Sequence, residues 1–271
     1  MSSACYVYAI VRRDTPLPAN GAVELAMVPW RELAAVTGRM GNDSAPLTMD
    51  AMLHHETVVE AVRRQGPALP VRFGTVFRDA TAVASALADR YEPLAADLDR
   101  LGNKVELSLT ALWAAPVDDA SASSPKEEGA PAARSAGARY LHARAAELRR
   151  DDALRERAGI VARKLDQVLG SLALERRVSL APMPRVAVRA AYLLDPAGVS
   201  SFRAAFDAMH RAERDVRLLL TGPWPPYSFV RRTETESGAG SVGRLAELAQ
   251  ILTDATGTAP RPSDRGRHVN H

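Results

Sequence analysis

The chain of 271 residues contains one cysteine. Cys5 therefore has no partner for an internal disulfide and none for a thiolate metal cage. No run of about 18 apolar residues occurs, which excludes a membrane-spanning helix. Met1-Ser2-Ser3-Ala4-Cys5 leads into a strand-like run without a basic, cleavable apolar leader, so the sequence predicts a cytoplasmic protein. Charge of one sign is also lacking, because the formal net charge is only +3. Basic pairs such as Arg12-Arg13, Arg63-Arg64, Arg149-Arg150 and Arg176-Arg177 are scattered among acids, which reads as solvated faces and helix flanks, with no nucleic acid as a partner. Glycine patterns that cradle phosphate and local signatures of nucleophilic catalysis are missing too, so no catalytic residue is assigned.

Metal chemistry comes nearest at His54-His55-Glu56-Thr57-Val58-Val59. A zinc helix needs a second histidine four residues after His55, and Val59 stands there. His55 lies on an apolar stripe, where a hydrogen-bonded core histidine is the ordinary arrangement, and no metal or other cofactor is expected. Arg72-Phe73-Gly74-Thr75 has one glycine and no lysine, a thin anion loop at best; the expectation is that Arg72 pairs with Glu56 or Glu106 beneath a tight turn.

What is present is a globular composition, 46% hydrophobic and 25% charged, in a chain long enough for two cores. Residues 5–11 are apolar on both faces and read as a central strand, with Tyr6, Tyr8 and Ile10 on one side and Val7, Ala9 and Val11 on the other. Strands follow at 23–28 and 33–36, a helix at 50–65, and a short strand at 69–71. A helix from Thr81 carries Val83, Leu87, Tyr91, Leu94 and Leu98 with a kink at Pro93, and a long strand spans 104–113. These elements predict an α+β domain over 1–116. Residues 117–136 are rich in Ala, Ser, Pro and charge and read as a flexible linker.

From Gly137 a helix of about 30 residues is expected, about 45 Å long at 1.5 Å per residue. Strands at 175–180 and 185–194, a helix with Val199, Phe202, Phe206 and Met209, and a strand at 215–221 complete a second α+β domain, 137–232. The fold class is thus α+β: two domains, each a small antiparallel sheet with helices on one face, ferredoxin-like in type. A C-terminal extension, 233–271, reads as a short amphipathic helix with Leu245, Leu248, Ile251 and Leu252, then a disordered tail.

The segment Gly222-Pro223-Trp224-Pro225-Pro226-Tyr227-Ser228-Phe229 is the most distinctive. Three prolines remove backbone donors and three large aromatics crowd into eight positions. Successive X-Pro steps favour polyproline II, which puts Trp224 and Tyr227 on one side of a stiff rod. Such a rod either folds back to cap its own core or presents an aromatic face to a partner.

Leu220-Thr221-Gly222-Pro223-Trp224-Pro225-Pro226-Tyr227-Ser228-Phe229 resembles the C-terminal signature of the gas vesicle protein F/L family (GvpF/GvpL). Leu69-Pro70-Val71-Arg72-Phe73-Gly74-Thr75-Val76-Phe77, with His55-Glu56 upstream, resembles its central motif. Gly137-Ala138-Arg139-Tyr140-Leu141 with Arg144 resembles the start of its long helix, and Ala190-Ala191-Tyr192-Leu193-Leu194-Asp195 its later strand. Thr110 and Arg189 depart from the pattern, standing where lysine and asparagine are expected. The resemblance implies an accessory protein of gas vesicle assembly that contacts the small amphipathic shell protein, GvpA, and other accessory proteins. Within it, Trp224, Pro225, Pro226, Tyr227 and Phe229 are the candidate partner-binding residues, and Glu56, Arg72, Phe73 and Gly74 the candidate structural motif. The alternative from another class is a ferredoxin-like small-molecule-binding regulatory module, for which only Gly74 offers a glycine at a strand-to-helix junction.

Overall fold

The computed structural model describes residues 4–19, 24–39, 48–114, 136–180 and 185–231. Of the expected linker 117–136, all but Ala136, which already begins the long helix, lies outside the described residues, as do the turn at 182–184 and the extension from 233.

Strand β1 (Cys5–Arg12), apolar on both sides, lies between β3 (Leu33–Arg39) and β4 (Ala68–Pro70), with the short β5 (Val76–Phe77) on its first residues and β2 (Leu25–Trp30) at the far edge. All pairings are antiparallel. Helix α1 (Met49–Arg63) starts at Thr48, whose Oγ1 accepts from the Ala51 N–H at 3.2 Å, and packs Val58, Val59 and Val62 on one face. Helices α2 (Ala80–Asp89) and α3 (Tyr91–Leu101) cover the other face through Val83, Leu87, Leu94, Leu98 and Leu101. This sheet thus carries helices on both faces, not on one, which is why β1 must be apolar on both.

Two local details differ from the periodicity. A bulge between Val7 and Ala9 shifts the side-chain phase, so Tyr6, Tyr8, Ala9 and Val11 meet α1 while Val7 and Ile10 meet α2 and α3. The expected kink at Pro93 is instead a break at Arg90, which leaves Pro93 in the first turn of α3, where a backbone donor has no partner to lose.

Strand β6 (Val105–Trp113) had read as the close of the first sheet, but it pairs with β8 (Val186–Leu194) and β9 (Val216–Trp224) of the second. With α4 (Ala136–Leu169), β7 (Glu175–Leu180) and α5 (Val199–Ala212), it completes a β-α-β-β-α-β run whose strand order is β7-β8-β6-β9. That is the ferredoxin-like arrangement, and it needs β6 as its first strand. Helices α4 and α5 cover one face through Ala158, Val161, Leu165, Leu169, Phe202 and Phe206. On the opposite face, Ala191 and Leu193 join the cluster of α2 and α3, so one apolar core runs from the first sheet to the second.

Helix α4 has 34 residues, about 51 Å. Its buried stripe begins only at Ala158; among the described side chains from Tyr140 to Arg157 none is buried.

Candidate functional site

The two sheets meet where the proline and aromatic segment leaves β9. Gly222 has φ 107°, and a Cβ there would lie 2.7 Å from the Glu106 carbonyl oxygen, so only glycine fits. The strand continues through Pro223 to Trp224, which pairs with Glu106 across a bulge. This is an edge strand, where a missing donor breaks no ladder. The chain then turns: the Tyr227 N–H donates to the Pro225 carbonyl at 2.8 Å and the Phe229 N–H to the Pro226 carbonyl at 3.1 Å.

Glu106, fully buried, holds this turn. Its Oε2 accepts from the Ser228 N–H at 2.8 Å and its Oε1 from the Ser228 hydroxyl at 2.7 Å and the Ser108 hydroxyl at 3.2 Å. Burial pushes its carboxyl above the usual range, opposed by those donors and by the Arg177 charge. Downstream, Arg100 donates to the Phe229 carbonyl at 2.9 Å and to Asp97 at 2.9 Å, and also pairs with Glu175 on β7. The buried Asp97 in turn accepts from the Arg231 N–H at 2.7 Å. Between these anchors the Phe229 ring is 0% exposed and belongs to the core shared by both sheets.

On the first sheet's side, His55 is 1% exposed. The Tyr6 hydroxyl donates to Nδ1 at 2.9 Å, and Nε2 donates to the Val71 carbonyl at 3.1 Å. Tyr6 oxygen accepts from the Gly74 N–H at 3.0 Å, so the turn donor that an anion would need is already engaged. Burial pushes His55 down to about 4, which keeps it neutral. Phe73 packs edge-on to Tyr6 and His55, and Gly74 sits at φ 81°. Tyr227 reaches this cluster, its ring 6.5 Å from His55. Burial, then the neighbouring Glu56 charge, push its hydroxyl well above 10; burial likewise raises Glu56.

The structure brings Glu56, Phe73, Gly74 and Tyr227 together around His55. Arg72 does not join them: it is exposed and pairs with neither Glu56 nor Glu106. The turn at Gly74 directs Phe73 inward and its neighbour outward, and Glu106 is satisfied by serine. Among the expected partner-binding residues, Pro225, Pro226 and Phe229 are buried in the chain's own core, while Trp224 and Tyr227 are half-buried. Trp224 donates its indole N–H to Thr221 at 3.3 Å. Asp97 and Arg100 are anchors that sequence reasoning missed, although an aspartate on the stripe of Leu94, Leu98 and Leu101 was a signal. Thr110 and Arg189, the two departures from the family pattern, are cross-strand partners on β6 and β8.

Among the described residues no group of three metal-ligating side chains occurs, and no helix is long and apolar enough to cross a membrane. A family model described as gas vesicle synthesis protein GvpL/GvpF matches residues 4–231. Gas vesicle protein L of a Streptomyces strain is 33% identical over 85% of this chain and 94% of its own length. Gas vesicle protein F of the same strain is 30% identical over 83% of this chain and 98% of its own length. The crystal structure of gas vesicle protein GvpF from Anabaena superposes with a TM-score of 0.62 at 19% identity, covering 86% of this chain and all of that one, and so shares the fold.

Proposed function

Because the chain belongs to the gas vesicle GvpL/GvpF family, we propose that it acts in the cytoplasm as a gas vesicle assembly protein that binds the small amphipathic shell protein, GvpA, and other accessory proteins before or during polymerisation. The family match across both sheets carries this reading. A strand-forming, apolar shell subunit needs its edges and apolar face covered until it assembles. The fold supplies surfaces suited to that: two sheets fixed on a common core, and a long helix whose described side chains from Tyr140 to Ala153 are not buried. In this reading Phe229, Pro225 and Pro226 set the relative position of the sheets, and the half-buried Trp224 and Tyr227 are secondary to the sheet edges and the helix in partner contact. Co-expression with the host's small shell protein, followed by affinity capture of this chain, tests it. Co-purification is the expected result, and absence of the shell protein from the captured material would overturn direct binding.

A further inference from the structure

The four edges of the two sheets are not alike. β2 carries Pro29, β4 ends in Pro70 and β9 contains Pro223. Proline on an edge removes a donor and blunts it against pairing with another chain. β7, Glu175-Arg176-Arg177-Val178-Ser179-Leu180, has neither proline nor bulge, and no described strand pairs with its outer side. Along it, Val178 is 43% and Leu180 45% exposed. Both lie on the face of α4, since they pair with Ala190 and Val188 of that core. The other face of the same strand presents Arg177, exposed although its guanidinium lies 5.5 Å from the centre of the Phe229 ring, and, beside Ser179 on β8, Arg189, whose buried Nε has no hydrogen-bond partner.

We propose that the free edge of β7 is a docking site for an extended protein segment that adds as a fifth strand and alternates apolar with acidic side chains. The outer main-chain groups, which no described strand pairs, are matched by a strand. Period-two alternation then puts its apolar residues beside Val178 and Leu180 and its acids beside Arg177 and Arg189. This deepens the assembly reading and rests on it, naming the surface and the chemistry of the partner strand.

The test measures fluorescence anisotropy of a labelled octapeptide of alternating valine and glutamate on the full chain, against its valine-lysine counterpart. Binding of the glutamate peptide about tenfold tighter than the lysine peptide is expected. Val178→Lys/Leu180→Lys should weaken it by about that factor and Arg177→Gln, which removes the charge without reversing it beside Glu106, by less, while Leu148→Lys on α4 leaves it unchanged. Val178, Leu180 and Leu148 are exposed and belong to no buried cluster, and circular dichroism verifies that all the variants, Arg177→Gln included, are folded. No binding, equal binding of both peptides, or equal loss in the Leu148 variant would overturn the site. So would a dimer of the wild type, seen by light scattering, that Val178→Lys/Leu180→Lys dissolves, because the occupant would then be a second copy. Shell-protein capture without peptide binding removes this edge alone; peptide binding without capture removes the assembly reading alone.

Discussion

Segment 224–229 and strand β7 use their side chains in opposite ways. The segment holds the densest cluster of aromatics in the chain and turns it inward, with Phe229 enclosed by both sheets. β7, with two arginines and no aromatic, leaves valine and leucine in solvent. Apolar content alone does not place a segment. The segment lacks the donors to continue a ladder, so it leaves the sheet and is held by side chains: Glu106 on Ser228, Arg100 on Phe229, Asp97 on Arg231. β7 keeps every donor, so it stays a strand, and no described strand covers its outer edge.

The comparison breaks most readily at Phe229. Phe229→Ala should cost about 3–5 kcal/mol in denaturant unfolding, the usual cost of emptying a buried aromatic site. A cost below about 1 kcal/mol would mean that the segment does not join the sheets.

A second handle is pH. His55 is held neutral with its folded value near 4 against 6.5 unfolded. The unfolded chain binds the extra proton in that window, so the contribution is complete above pH 6.5 and is lost as pH falls toward 4. The fall from 6.5 to about 4 corresponds to about 3 kcal/mol. Glu56 and Glu106, with raised values, run the opposite way, but they are common to wild type and His55→Gln. The difference between those two proteins should therefore shrink by about this amount from pH 6.5 to 4. A constant difference would place His55 outside the buried network.

Ser228→Ala should cost about 2 kcal/mol at pH 7, since it takes a donor from a buried carboxylate. The Ser228 donors oppose the burial that raises Glu106, so they favour its ionised form, and the cost should diminish as pH falls to 4 and the carboxyl gains its proton. An equal cost at both pH values would contradict that pairing.

Much of this arrangement was legible. Apolar residues on both faces of β1 announced a central strand, and the run from Gly137 announced the long helix. The signature 220–229 and the motif at 69–77 marked the family. Strand β6 was legible as a strand but not as to its sheet, because its partners lie more than 70 residues downstream and pairing across that distance leaves no periodic trace. The bulge at Val7 and Ala9 was hidden for the converse reason: both phases of an all-apolar strand look alike. Glu106 was visible as an acid in an apolar strand, but the nearest attractive partner in sequence terms was an arginine, and the structure uses Ser228.

The most direct measurement captures the small shell protein on three folded baits side by side: wild type, Val178→Lys/Leu180→Lys and Trp224→Ala. The account predicts that the edge variant loses capture, with its unfolding free energy within about 0.5 kcal/mol of wild type, while Trp224→Ala retains most of it. Full capture by the edge variant, with loss in Trp224→Ala, would contradict it and return recognition to the aromatic segment.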